Sequence, residues 1–399
     1  MGQLSSLESR YGAANYKPLP VTLVRGEGVY VWDEDGRRYL DMMGAYSAAS
    51  FGHCHPRLVA AMTEQARRLD TVSRAYFTDR LGPFLARACE LTGMDVALPA
   101  NGGAEAVETA IKAARKWAYK VKGVPHDRAE IIAAEDNFHG RTITIVAFSS
   151  VAQYRDGFGP FPPGFKLVPF GDAAALEAAI TPYTAAFLVE PIQGEGGINM
   201  PPKGYLEEAA RICRAHNVLL ICDEVQTGLG RTGRLLACQH DGVTPDAVIL
   251  GKALGGGLIP VSLFLARQEV MDVFAPGDHG STFGGNPIAA AVGLAAFDTL
   301  IEERLVERAA MLGPRLLSRL AAINNPLVRE VRGRGLFVGV EVDATKVQAG
   351  MVAERLLRAG VLTKDTHRNT IRFTPPFIIN EAEIDWAVDR VAEVLGEIF

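Results

Sequence analysis

Three stretches of this 399-residue sequence combine residue types that could do chemistry together. The first is Val218-Leu-Leu-Ile-Cys-Asp-Glu-Val225, where five apolar residues read as a buried strand and Asp223 arrives at its carboxyl end. In an open α/β sheet, ligands bind outside the carboxyl ends of the strands. A carboxylate beside apolar chain is costly there unless a cation answers it. The second is Lys252, two residues past the apolar run Ala247–Leu250 and just before Gly255-Gly-Gly257, where the backbone can approach a ligand closely. The third is Asn101-Gly-Gly-Ala-Glu-Ala106, opening onto a segment with Val107, Ala110, Ile111, Ala114 and Trp117 on one helical face. A helix entered through glycines offers free N–H groups and the positive end of its dipole, a natural cradle for phosphate.

Taken singly, a lysine after a strand is usually solvated and an aspartate there usually caps a turn. Together, a phosphate cradle, an amine and a carboxylate at strand ends are the parts that a pyridoxal-phosphate site requires. Lys252 would hold the cofactor aldehyde as a Schiff base. Asp223 would keep the pyridine nitrogen protonated, which the ring needs to act as an electron sink, and the loop at Asn101 would hold the phosphate.

These residues need a frame. From about residue 55 to 285, strand and helix patterns alternate, with apolar runs at Glu130–Ala134, Thr142–Phe148, Ala185–Val189, Val218–Cys222 and Ala247–Leu250 and a helical stretch at Lys203–His216. This alternation predicts an α/β fold with a mostly parallel sheet covered on both faces. The first 45 residues read as irregular chain plus a hairpin, Val29–Trp32 and Arg38–Leu40 flanking Asp33-Glu34-Asp35-Gly36. After Asn286-Pro287 come a long helical pattern to about Ile323, strand-like Val328–Arg332 and Leu336–Val342, a helix over Thr345–Ala359, then Val361–Thr363 and Ile371–Phe373. The expected division is an N-terminal segment 1–45, a large cofactor-binding domain 46–287 and a smaller α+β domain 288–399.

Hydrophobic residues make up 48% and charged residues 22%, enough for a deep core, and no basic block accompanies the net charge of −5. Neither nucleic acid nor an anionic membrane is an expected partner. Five scattered cysteines suit a reducing compartment better than a disulfide framework. Met1–Arg10 lacks the apolar stretch of a secretory signal, and the apolar run Ile288–Phe297 is too short to span a bilayer, so a soluble cytoplasmic protein is expected. Gly2 followed by Ser6 fits a loose myristoylation pattern without a second membrane signal. Gly228-Leu-Gly-Arg-Thr-Gly233 matches a dinucleotide fingerprint, but polar residues separate it from its strand and no helix begins at its last glycine. His53-Cys54-His55 has no second ligand pair at suitable spacing, so no metal is expected.

Longer motifs point the same way. Tyr11-Gly-Ala-Ala-Asn-Tyr-Lys-Pro-Leu-Pro20, Gly52-His-Cys-His-Pro56, Gly140-Arg-Thr142, Val189-Glu-Pro-Ile-Gln-Gly-Glu195, Asp223-Glu-Val-Gln-Thr-Gly228, Leu250-Gly-Lys-Ala-Leu254, Gly280-Ser-Thr-Phe-Gly-Gly-Asn-Pro287 and Ile371-Arg-Phe-Thr-Pro-Pro376 resemble the class III aminotransferases. The resemblance runs from about Tyr11 to the C-terminus and implies a fold-type I pyridoxal-phosphate enzyme. It implies that Gly103 and Ala104 bind phosphate, that Phe138 and Val225 lie against opposite faces of the ring, and that Gln226 bonds the ring hydroxyl. Ser281 and Thr282 would reach the phosphate of a neighbouring subunit, which implies a homodimer or higher homo-oligomer with shared active sites. The implied substrates are ornithine, reacting at its δ-amine, and 2-oxoglutarate. Arg141 would take the α-carboxylate of ornithine, Tyr16 would meet its α-amino group, and Tyr46 would line the pocket. Glu195 would neutralise Arg372 while ornithine is bound, then free it to grip 2-oxoglutarate. N-acetylornithine or 4-aminobutyrate is the alternative donor. His139 stands where animal members of the family carry tryptophan.

Overall fold

The computed structural model describes residues 3–367 and 369–398, so Gly2 of the myristoylation pattern lies outside the described residues. A seven-stranded sheet forms the centre, in the order Val96–Ala100, Ser262–Ala266, Ala247–Leu250, Leu219–Asp223, Thr184–Val189, Glu130–Ala134, Phe165–Val168. The five strands from Ala247–Leu250 to Phe165–Val168 are parallel, and Ser262–Ala266 runs antiparallel to both of its neighbours. Two reversals cancel, so Val96–Ala100 points the same way as the parallel set.

Side chains alternate between two buried faces, as period-two geometry demands. Ile131, Leu188, Ile221 and Ile249 join the helix Gly103–Trp117 in one apolar cluster. Ile132, Phe187, Leu220 and Val248 join Leu206, Ala209 and Ile212 of the helix Tyr205–Ala215 in the other. Burial on both faces explains why these strands read as unbroken apolar runs.

Two smaller sheets flank this layer. An antiparallel one, ordered Val328–Arg334, Phe337–Val342, Thr370–Phe373, Lys364–Thr366, sets Arg372 opposite Gly339 and Lys364. The other joins Leu23–Glu27, Tyr30–Asp33 and Arg38–Asp41 to Val361–Leu362, so the ends of the chain share one sheet. The Thr374 N–H donates to Met42 O at 2.7 Å, which draws the segment after Asp41 against the strand carrying Arg372.

Several local expectations are corrected. Thr142–Phe148 is not a strand: Thr142 caps a helical turn over Ile143–Val146, its hydroxyl accepting from the Ile145 N–H at 3.2 Å. Its β-branched content imitates a strand, but the cap closes the turn locally. The N-terminal segment holds a helix, Gln3–Tyr11, and an extra strand, Leu23–Glu27. The long helix after Asn286 is two, Pro287–Glu302 and Leu305–Ala321, parted where Arg304 turns left-handed (φ 53). The helix expected from Thr345 begins at Ala349, because Asp343 binds the N–H and hydroxyl of Thr345 in a turn. Val96–Ala100 escaped notice because Pro99 interrupts it, which an edge strand tolerates.

One close approach ties the small antiparallel sheet to the layer beneath. A Cβ on Gly313, inside the helix Leu305–Ala321, would lie 2.3 Å from Gly335 Cα, and Gly335 itself backs onto the Thr232 backbone. Gly313→Ala gains up to about 1 kcal/mol in helix propensity, but overpacking against rigid backbone costs about 1–3 kcal/mol. The clash wins: the variant is expected to lose about 2 kcal/mol, read as a lower urea midpoint at unchanged m. An equal or higher midpoint would show that the two backbones can separate.

Candidate active site

Six strands deliver their carboxyl ends to one edge of the central sheet, and the chemistry-bearing residues lie just beyond them. Asn101 follows Ala100, Phe138 and His139 lie in the loop after Ala134, and Glu190 follows Val189. Asp223 ends its own strand, and Lys252 stands two residues after Leu250. Gly103, Ala104, Phe138, His139, Glu190, Asp223, Val225, Gln226 and Lys252 together enclose a cavity of about 170 Å³.

Its floor is a buried acid–base cluster. His139 Nδ1 lies 2.6 Å from Asp223 Oδ2, while Asp223 Oδ1 accepts from the Val225 N–H at 3.0 Å. Burial pulls the His139 imidazole down, but its bond to Asp223 and the charges of Asp223 and Glu190 outweigh this and raise it. Its Nε2 is buried with no hydrogen-bond partner among the described residues. Glu190 accepts from the Phe138 N–H at 2.8 Å and from the Gly194 N–H at 3.1 Å. Burial pushes its carboxyl up to about 7, with His139 opposing and Asp223 adding to the rise. Burial also pulls the Lys252 ammonium below its ordinary value, against the charge of Glu195. Lys252 holds a left-handed backbone (φ 46), a strained state for a residue with a side chain.

One wall is the start of the helix Gly103–Trp117. Glu105 Oε2 accepts from the N–H groups of Asn101 and Gly102 at 2.6 and 3.2 Å, and the Ser262 hydroxyl donates to Gly102 O at 2.8 Å. Gly103 and Ala104, whose first-turn N–H groups have no intrahelical acceptor, line the cavity. A Cβ on Gly103 would come within 3.1 Å of Val225, so the cradle is shaped by the missing side chain. Donors without acceptors at one end, a buried carboxylate at the floor and an amine of lowered basicity at the side fit a phosphorylated aromatic aldehyde. Ser281 reaches this loop, its Oγ accepting from Asn101 Nδ2 at 3.0 Å, while Thr282 is exposed.

The opening holds two arginines in unlike states. Arg372 is buried and forks onto Glu195, Nη1 to Oε1 at 2.5 Å and Nη2 to Oε2 at 2.9 Å, with its Cζ 4.9 Å from the Tyr46 ring centre. Burial would raise the Glu195 carboxyl, but the Arg372 charge and bonds bring it down to about 2. Gln226 Nε2 lies 3.4 Å from Glu195 Oε1 and 3.3 Å from Tyr46 O. Arg141 is exposed and forms no ion pair among the described residues; its Cζ lies 3.5 Å from the Tyr154 ring centre and 5.4 Å from that of Phe138. Tyr16 is exposed, and it adds to the rise of the Tyr46 phenol that burial causes first, against Arg372.

Glu190, the His139–Asp223 bond and Tyr154 add to the residues that the motifs single out. Glu190 was accessible by the reasoning that found Asp223, since it too follows a buried strand. The partner of His139 lies 84 residues away, and nothing local marks it. His53 faces Asp41 at 2.8 Å, and no group of metal-ligating side chains occurs among the described residues. Nor is any described helix long and apolar enough to cross a membrane.

This edge-of-sheet site has counterparts among known proteins. The family described as aminotransferase class-III matches residues 11–395, and the chain belongs to it. Among its relatives, an ornithine aminotransferase of Geobacillus sp. (strain WCH70) is 53% identical over 99% of both chains. The crystal structure of the ornithine aminotransferase from Toxoplasma gondii ME49 superposes with a TM-score of 0.97 at 45% identity, covering 99% of this chain and 94% of that one. An acetylornithine aminotransferase from Elizabethkingia anophelis gives 0.89 at 44% identity, over 99% and 98%.

The raised Glu190 carboxyl has a consequence for stability. Below its unfolded value near 4.5 the group is protonated in both states and contributes nothing. As pH rises, the unfolded chain ionises first, so stability falls until the folded group also ionises near 7. The full loss is about 3 kcal/mol. Glu190→Gln removes this slope. Urea denaturation of the apoprotein at pH 4.5 and 7.5 should show the variant gaining on wild type by about that amount; a pH-independent difference would show that Glu190 ionises normally.

Proposed function

We propose that this chain binds pyridoxal phosphate and transfers the δ-amino group of ornithine to 2-oxoglutarate, giving glutamate 5-semialdehyde and glutamate. The observation that carries the reading is the contrast between a buried, neutralised Arg372 and an exposed Arg141 without an acid partner among the described residues. An arginine fork pairs bidentately with a carboxylate. Left uncovered, Arg372 would seize the α-carboxylate of ornithine and present the wrong amine. With Glu195 on Arg372, the carboxylate is left to Arg141, Tyr16 meets the α-amino group, Tyr46 lines the pocket, and the δ-carbon lies toward Lys252. With 2-oxoglutarate, Glu195 withdraws and Arg372 takes the α-carboxylate.

When bound, the cofactor supplies an aldehyde that takes the amino group and a protonated ring that draws electrons from the reacting carbon. Lys252 is suited to both holding that aldehyde and moving the proton at the δ-carbon, because enclosure keeps its amine less basic than usual. Asp223 would hold the ring-nitrogen proton, with His139 fixing its orientation. Gly103 and Ala104 would bind phosphate, Phe138 and Val225 would bound the ring, and Gln226 would meet its hydroxyl.

Ser281 and Thr282 would complete the phosphate site of a second copy. Exposed Phe283 beside them, with exposed Tyr76 and Phe77 in the segment whose Arg74 approaches Gly285, supports a homodimer built on this edge. Five unpaired cysteines, three of them buried, support a cytoplasmic setting.

The test is an assay of purified protein with pyridoxal phosphate, 2-oxoglutarate and, in turn, ornithine, N-acetylornithine and 4-aminobutyrate. Ornithine is expected to give the highest kcat/KM, and preference for either other donor overturns the reading. Lys252→Ala should abolish turnover. Glu195→Ala should raise reaction with glutamate relative to ornithine about tenfold, the worth of one charge-assisted bond; an unchanged ratio would refute the exchange of partners on Arg372.

A further inference from the structure

The hairpin formed by Lys364–Thr366 and Thr370–Phe373 touches the surroundings of both arginines. Arg372 is on its second strand. On its first strand, the Thr366 hydroxyl donates to the backbone oxygen of Glu195 at 2.6 Å. At its turn, His367 Nε2 lies 2.9 Å from the Tyr154 hydroxyl, and Tyr154 is the ring on which Arg141 stacks, 3.5 Å from Cζ to ring centre. Tyr154, His367, Glu195 and Phe138 line a second cavity of about 90 Å³, and Phe138 is a wall it shares with the cofactor cavity. Phe138 meets Tyr154 edge-on, with ring centres 6.2 Å apart.

A guanidinium on an exposed side chain samples many orientations, and a carboxylate must immobilise it before both N–H bonds form. Stacking on an aromatic face holds the guanidinium plane in advance and leaves its N–H edge open. Tyr154 in turn needs a fixed ring, and His367 supplies a hydrogen bond at the hydroxyl. We propose that Tyr154 is a specificity-determining platform that presents Arg141 to the donor's α-carboxylate, and that His367 is the positioning residue that fixes it. The hairpin then sets the separation between the two carboxylate-binding arginines and selects donors by where their carboxylate lies relative to the reacting amine. This inference rests on the reading that Arg141 receives the carboxylate of ornithine.

The test compares ornithine with 1,4-diaminobutane, which has the same terminal amine and no carboxylate, in the presence of 2-oxoglutarate. Wild type is expected to favour ornithine. Tyr154→Ala should lower the ornithine/1,4-diaminobutane ratio of kcat/KM about tenfold, mostly through KM for ornithine. Tyr154→Phe and His367→Ala should each lower it by a smaller, similar factor, and the double variant no further, because both remove the same bond. A merely structural role would depress both donors and leave the ratio unmoved, which overturns the proposal. So does a double variant whose losses multiply. A wild-type enzyme that does not favour ornithine over 1,4-diaminobutane sinks the Arg141 reading as well. Intact wild-type preference with an unmoved ratio in Tyr154→Ala removes the platform alone.

Discussion

A carboxylate held at the dry edge of a buried sheet must be met by a donor, and the site is organised by how two strand-end groups, Asp223 and Glu190, and one loop group, Glu195, meet this demand. Asp223 is met by His139 and a backbone N–H, Glu195 by the Arg372 fork, and Glu190 by hydrogen bonds from two backbone N–H groups, with the charge of His139 acting on it from further off. The hierarchy follows from the partners. A bidentate guanidinium brings Glu195 down to about 2, whereas the charge of His139 and two backbone dipoles together leave burial in control of Glu190, near 7. The sheet makes the arrangement unavoidable, since strands running the same way release their side chains at one edge. Glu190 also joins the Phe138 loop to the Gly194 turn beside Glu195, so the proposed cofactor and substrate ends share one buried carboxyl.

Strain is concentrated in the same place. Gly44, Ala45, Tyr46 and Ser47 all have positive φ, between 47 and 73, a left-handed turn that costs L-residues roughly 1–2 kcal/mol each. It persists because its surroundings over-determine it. Asp41 Oδ1 accepts from the N–H groups of Met43 and Gly44, both at 2.9 Å, and the Thr374 hydroxyl donates to Met43 O at 2.6 Å. A Cβ on Gly44 would lie 2.6 Å from Thr374 O, so only glycine can begin the turn. The result is the Tyr46 ring lying against Arg372.

What the sequence made legible follows from range. Asp223, Lys252 and the Asn101 loop could be read because each sits at the end of a locally recognisable element. Four of the parallel strands could be read because burial on both faces leaves continuous apolar runs; Phe165–Val168, at the sheet edge, is only partly buried and carries Lys166, and no such run announces it. Ser262–Ala266 pairs antiparallel within the same sheet, and nothing in its composition announces that reversal. Thr142–Phe148 was misread because β-branching outweighed a cap that works over three residues. Only Gly44 hints at the left-handed turn, since alanine, tyrosine and serine seldom enter one. The bonds from His139 to Asp223 and from His367 to Tyr154 span 84 and 213 residues, beyond any local pattern.

The Arg372–Glu195 pair is poorly explained as a source of stability. Burying both charges costs several kcal/mol per ion, and apolar replacements of such pairs are often neutral or stabilising. Around it, however, the structure maintains other polar contacts. Gln226 reaches Glu195, Thr366 holds its backbone, and Gly339 faces Arg372 across the sheet, where a Cβ would press on Ile198 and Thr370. A charge retained at that cost, with a second arginine that has no acid partner among the described residues, suits a surface that must bind one carboxylate at a time. In the proposed reaction the two half-reactions present carboxylates at different distances from the reacting amine. One rigid cationic site would serve only one of them, and two arginines with a single movable acid serve both.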